Sequence, residues 1–161
     1  MDRSGRFAAV ALLVLGVLAG VAVPLAACAR ESATPLLATS IRVGYAMGHL
    51  VCHQRPDRSF FTCGQQWPVC GRCAGLYMGF ACGGLVGLAT IGGGLARRDA
   101  SDVARRWRLA LVVAALPTAV LWLLEFGVGL NPGSLFRWVG ALPLGVTAAL
   151  WLAAIGRGDL R

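Results

Sequence analysis

PVCGRCAGLYMGFACGGLVGLATIGGGL, residues 68–95, decides the reading of this chain. It opens with two cysteines three apart, Cys70 and Cys73, and after Cys73 carries no charge until Arg97. About 20 apolar residues let a helix cross a hydrocarbon layer of about 30 Å. Backbone polar groups in lipid are satisfied only within a helix or a closed barrel. Residues 75–95 therefore read as a membrane-spanning helix. Gly75, Gly79, Gly83 and Gly87 recur at every fourth position, which puts four small residues on one helix face and lets another helix approach closely. That approaching helix is either another segment of the same chain or a second copy, which would make a homodimer through this glycine face.

Working outward, three more segments have the same character: 7–28, 109–130 and 135–155. The whole chain is 57% hydrophobic and only 14% charged, against roughly 25% charged in an ordinary soluble domain. Mean hydropathy is +0.69. The expected fold class is all-α: a single integral membrane domain, 1–161, built as a four-helix transmembrane bundle with a Cys/His-rich extracytoplasmic loop at 45–73. The net charge of +8 comes entirely from arginine. Much of it flanks the apolar segments, as expected at a cytoplasmic face, so nucleic acid is not an expected partner; the lipid bilayer is. Arginine-dense stretches at the amino end, at 97–108 and at the carboxyl end share one side only if there are four spans. That side is expected to be the cytoplasm of a prokaryotic cell, with the multi-pass chain in its inner membrane and Cys52–Cys73 outside. Residues 36–50 are apolar enough to lie on the membrane surface or dip into it, but Arg42 and His49 argue against a fifth full span.

The first segment has two readings. It is a retained helix, or Leu25-Ala26-Ala27-Cys28 is a lipobox at which cleavage would leave a lipidated Cys28.

The chemistry concentrates in Cys52-His53-Gln54, Cys63 and Cys70-Gly71-Arg72-Cys73. Thiolate and imidazole are the ligands of zinc and of iron–sulfur centres; two cysteines three apart are also the working unit of thiol–disulfide exchange. Pro68 suits a first helical turn, which would put Cys70 and Cys73 together on one face of it, where the helix dipole and Arg72 favour thiolate. Cys82, inside the span among small residues, reads as a buried small hydrophobe. Glu125 is the only acid within an apolar segment. Such groups are costly in lipid and mark pairing or function. Its expected partner is Arg137, at the start of the fourth segment on the same side.

These residues resemble a family of predicted prokaryotic membrane proteins, domain of unknown function two-thousand-eighty-five. The resemblance runs through Cys52-His53-Gln54, Pro56, Arg58-Ser59-Phe60, Gly64, Pro68-Val69-Cys70, Arg72-Cys73, Gly75, Tyr77 and Gly79. It resumes at Glu125, where the family favours Asp, and continues through Asn131, Arg137, Gly140 and Gly145. Cys63 departs from the family pattern, so the resemblance implies Cys52, His53, Cys70 and Cys73 as the core set. It implies an architecture and a residue list, with no activity.

Two functions follow from the residues. The first is a metal site, zinc-like, on Cys52, His53, Cys70 and Cys73 at the outer mouth of the bundle, with activity unassigned. The alternative is a membrane thiol–disulfide oxidoreductase using the Cys70/Cys73 pair, with Cys52/Cys63 as shuttle cysteines. A channel or transporter has only Glu125 behind it.

Overall fold

The computed structural model describes residues 3–29, 34–90 and 100–157. It contains five α-helices: α1 (Arg3–Ala29), α2 (Pro35–Val51), α3 (Gly71–Thr90), α4 (Ala100–Gly127) and α5 (Gly133–Arg157). Among the described residues three stretches are long and apolar enough to cross a membrane: Gly71–Ala89, Asp102–Gly127 and Gly133–Gly156. These correspond to the expected second, third and fourth spans. The expected end of the second, at residue 95, lies outside the described residues. The segment at 7–28 is helical within α1, but the count of four spans is not reached on these criteria.

The expectation of an all-α chain needs a correction. Between α2 and α3 lie a single 3-10 turn, Pro56–Arg58, and a two-stranded antiparallel hairpin, β1 (Ser59–Thr62) and β2 (Gln65–Cys70). The strands pair Ser59 with Cys70, Phe61 with Gln66 and Thr62 with Gln65, with an irregularity between Ser59 and Phe61. The connection is two residues, Cys63 and Gly64, both at positive φ (52° and 71°). That is the backbone pattern of the two-residue turn that matches strand twist. Pro68 therefore stands in β2 rather than in a first helical turn, and Cys70 precedes the helix that begins at Gly71.

Glycine determines how the helices stack. A methyl group at Gly71, Gly75, Gly79 or Gly83 would run into the backbone of Ser134, Trp138, Leu142 or Val146 respectively. The matching four-residue steps mean that α3 and α5 run parallel in backbone contact. Gly145 of α5 answers by lying against Leu76 and Phe80. The glycine face is thus covered within the chain, and the expected alternative of a homodimer through it has no open surface to use. α4 returns antiparallel to α5: Thr118 Oγ1 donates to the Gly140 carbonyl at 2.8 Å, and Glu125 meets Arg137. α1 is antiparallel to α3, with Ala27 packed in one cluster with Ala74 and Leu13 beside Gly84 and Gly87. The start of α1, the end of α3, the start of α4 and the end of α5 therefore lie at one end of the bundle. The hairpin caps the other.

The buried residues of the helices are mainly glycine and alanine, the alanines being Ala27, Ala74, Ala81, Ala114, Ala141, Ala149, Ala153 and Ala154. The large apolar side chains point outward, among them Leu12, Leu15, Leu18, Leu85, Val86, Val112 and Leu123. Small inside and large outside is the packing of helices in lipid, where close backbone approach replaces the hydrophobic drive. Cys82 belongs to the outward set: it is exposed, next to Leu85 and Val86, not buried as expected.

Candidate functional site

Three segments bring the sulfurs together. Cys52 ends α2 in an extended conformation, its N–H bonded to the Gly48 carbonyl at 2.9 Å. Cys70 ends β2, and Cys73 lies one turn into α3. The three Sγ atoms all lie within 4.8 Å of one another, a group that can hold a metal ion. Cys52 is buried, and its sulfur accepts the Cys70 N–H at 3.1 Å. Ala27, Trp67, Val69 and Ala74 close the apolar shell, with Phe60, Tyr77 and Trp138 against it.

A polar clamp holds the Cys52 loop on the hairpin. Gln54, at φ 46°, donates from Nε2 to the carbonyls of Tyr45 (2.8 Å) and Pro68 (2.6 Å). Gln66 returns the contact, donating to the Gln54 carbonyl at 2.6 Å and to Ser59 Oγ at 3.1 Å. The Tyr45 hydroxyl donates to the Gln66 carbonyl at 2.5 Å. The positioning roles of Gln66 and Tyr45 carried no sequence signal, since isolated Gln and Tyr residues have no spacing to read.

Cys70 is the most activated thiol. It is held down to about 5 from its ordinary 9.0. The Cys73 thiol donating to its sulfur does most of this, against the opposing effect of burial; the Cys73 N–H, the Cys52 thiol and the Arg72 N–H add to it. No guanidinium is among these principal causes, because Arg72 turns its side chain to Glu125 instead. Of the four expected ligands the structure therefore assembles three. His53 is exposed and outside the sulfur group. Cys63 is engaged elsewhere, in a disulfide with Cys28 that ties the end of α1 to the hairpin turn. A cysteine bonded in this way is not the shuttle partner of Cys52.

Beside the sulfurs is a buried ion cluster. Arg137 Nε donates to Glu125 Oε1 at 2.7 Å, as expected from the sequence. Two further arginines join it: Arg72 Nη2 at 3.1 Å from Oε1 and Arg58 Nη1 at 3.4 Å from Oε2. Asn131 Oδ1 accepts from Arg137 Nη2 at 2.8 Å.

A family model described as "Predicted membrane protein (DUF2085)" matches residues 52–151, from the first of the three cysteines to within α5. The chain belongs to this family. The DUF2085 match spans all three cysteines, the three arginines, Glu125 and Asn131. The chain is 40% identical over 76 residues to "Uncharacterized protein MJ1492" of Methanocaldococcus jannaschii, covering 47% of this chain and 44% of that protein. It is 48% identical over 29 residues to an "Uncharacterized protein" of Methanothermobacter thermautotrophicus, covering 18% of this chain and 26% of that one. The chain thus spans less than half the length of these curated relatives. No solved structure matches it.

Proposed function

We propose that this chain is a multi-pass protein of a prokaryotic cytoplasmic membrane, with α1 as the fourth span and a zinc-like thiolate centre at the outer mouth of its bundle. Cys52, Cys70 and Cys73 supply the ligands. The observation that carries this reading is the mutual approach of the three sulfurs within 4.8 Å. Zinc–sulfur bonds of about 2.3 Å at tetrahedral angles put bound sulfurs about 3.8 Å apart. Closing the cluster on an ion therefore asks for movements of about 1 Å or less. Three protein ligands leave a fourth position for water, for His53 after a turn of its loop, or for a substrate atom, which is the arrangement of a catalytic rather than a closed structural zinc site. The ion would tie the loop after α2 to the start of α3. The Cys28–Cys63 disulfide supports an outward-facing hairpin, since such bonds persist on the oxidising side of a membrane.

One observation favours the second reading, a thiol–disulfide oxidoreductase. Cys70, low in pKa and three residues before Cys73, has the character of an attacking thiol. Its third thiol would be Cys52, because Cys63 is already paired.

The deciding measurement is metal content together with a free-thiol count on protein purified in detergent. The metal reading expects about one ion per chain, with Cys52, Cys70 and Cys73 reduced. It also expects the ion to be lost in Cys52→Ser, Cys70→Ser and Cys73→Ser but kept in Cys82→Ser. A metal-free protein with a reducible Cys70–Cys73 bond would transfer the case to the redox reading.

A further inference from the structure

We propose that Arg58, Arg72 and Arg137 form a binding site for a phosphate oxyanion at the hairpin end of the bundle. The site is independent of what the sulfurs hold.

The first argument is charge. Among the described residues Glu125 is the one carboxylate facing all three guanidinium groups. Asp57 lies 3.6 Å from Arg58 Nε but is shared with Arg55, which it meets at 3.1 Å. Among the described residues, four arginines against two acids leave an excess of two positive charges in this group. Arg137 and Glu125, 2% and 3% exposed, neutralise each other at 2.7 Å, so the excess rests on the shallower arginines: Arg58 and Arg72 are 30% and 22% exposed and Arg55 58%. Partly buried guanidinium groups without a full counter-charge attract an anion. The sulfur cluster does not supply it through Arg72, whose guanidinium is given to Glu125 although it stands between Cys70 and Cys73.

The second argument is unused donors. Arg58 Nε, Arg72 Nε and Arg137 Nη1 are buried and have no hydrogen-bond partner. Buried polar groups are nearly always satisfied, and exceptions call for a missing partner. One buried acceptor, Glu125 Oε2, is also without a hydrogen bond, so the donors without a partner outnumber it three to one. They match the several oxygens of a phosphate, which guanidinium groups bind in a bidentate fork. A single carboxylate would leave one of the two excess charges standing. The three arginines differ in depth: Arg137 is 2% exposed, Arg72 22% and Arg58 30%.

The third argument is level. Arg72 is in the first turn of α3, Arg137 in the second turn of α5, and Glu125 two residues from the end of α4. Helix ends of a membrane bundle sit where the bilayer carries its phosphates. The ligand is then either the phosphodiester of an anionic phospholipid or a free phosphate.

The test uses the full chain in detergent, with binding read by calorimetry and thermal unfolding. The probes are inorganic phosphate and phosphatidylglycerol, with chloride of equal ionic strength and phosphatidylcholine as controls. Saturable binding of inorganic phosphate identifies the free source, and binding of phosphatidylglycerol alone identifies the lipid. Arg58→Gln, at the most exposed of the three, is expected to fold and to weaken binding about tenfold, the value of one charge-assisted hydrogen bond. Glu125→Gln removes the competing carboxylate and is expected to bind more tightly. A structural ion cluster without a ligand predicts no response of the wild type beyond the controls. That result, or unchanged affinity in both variants, overturns the proposal.

Discussion

Cys70 shows how a few contacts set the chemistry of one side chain. Its sulfur is surrounded by donors: two thiols and the N–H groups that open α3. Because the folded-state value of about 5 lies below the ordinary 9.0, the thiolate contributes stability that is complete above pH 9 and is lost as pH falls through about 5. In the metal-free protein the alkylation rate of Cys70 is therefore expected to stay level from pH 8 to 7 and to halve near pH 5. A midpoint near 9 would show that the three thiols do not meet. Not every residue of the site was equally legible from sequence. Cys52, Cys70 and Cys73 announce themselves by type and spacing. Glu125 and Arg137 do so as ionisable groups within apolar runs. Arg58 and Arg72 do not, because more than 50 residues separate Arg72 from the carboxylate it binds and each already had a plausible local role. His53 adjoins Cys52, but the left-handed turn at Gln54 belongs to a loop that leaves its side chain outside.

At the scale of elements, the close contact between α3 and α5 is the most demanding feature of the fold. At Gly79 a methyl group would meet the Leu142 backbone, which cannot turn aside as a flexible side chain does. Gly79→Ala is expected to lower stability by about 1–3 kcal/mol, the usual cost of overpacking. Gly44→Ala, in α2 with nothing within 4 Å, is expected to raise it by about 0.5–1 kcal/mol through the helix preference of alanine. Thermal unfolding of the two variants side by side checks both, and equal shifts would mean that α3 and α5 are not in backbone contact. The four-residue glycine period made this face readable before its partner was known. The hairpin was not readable. Its turn places Cys63 at positive φ where Asn, Asp or Gly is the usual signal, and its strands are only four and six residues long. α2 shows a third case. Leu36, Val43, Met47, Leu50 and Val51 are exposed, and at 100° per residue they form one stripe. Arg42 and His49 lie off that stripe. A 17-residue helix of this pattern suits a membrane surface.

For the molecule as a whole, helix directions alone give a parity. With α1 and α4 antiparallel to α3 and α5, the exposed Arg105, Arg106 and Arg108 mark the end opposite the hairpin. The positive-inside tendency then assigns that end to the cytoplasm. Val128, exposed beyond α4, and Asp102, exposed at its start, test the two ends. In intact cells an impermeant maleimide is expected to label the Val128→Cys variant, and the Asp102→Cys variant only after lysis. The reverse pattern would invert the molecule and move the thiol cluster to the reducing side. The expected orientation rests on arginine placement. The disulfide was not legible, since six cysteines admit many pairings and neither Cys28 nor Cys63 belongs to a motif shared with the other.

That disulfide joins positions 35 apart, and with the intervening peptide bonds it makes a closed covalent ring. α2, the Cys52 loop and the 3-10 turn all belong to the ring. A protease that cuts once anywhere between Cys28 and Cys63 opens the ring without dividing the molecule: α1 and the remaining helices stay one covalent particle until a reductant acts. Mass alone would not reveal such a cut before reduction, beyond the one water added. The segment that carries Cys52 is thus also the one whose breakage leaves every helix covalently attached.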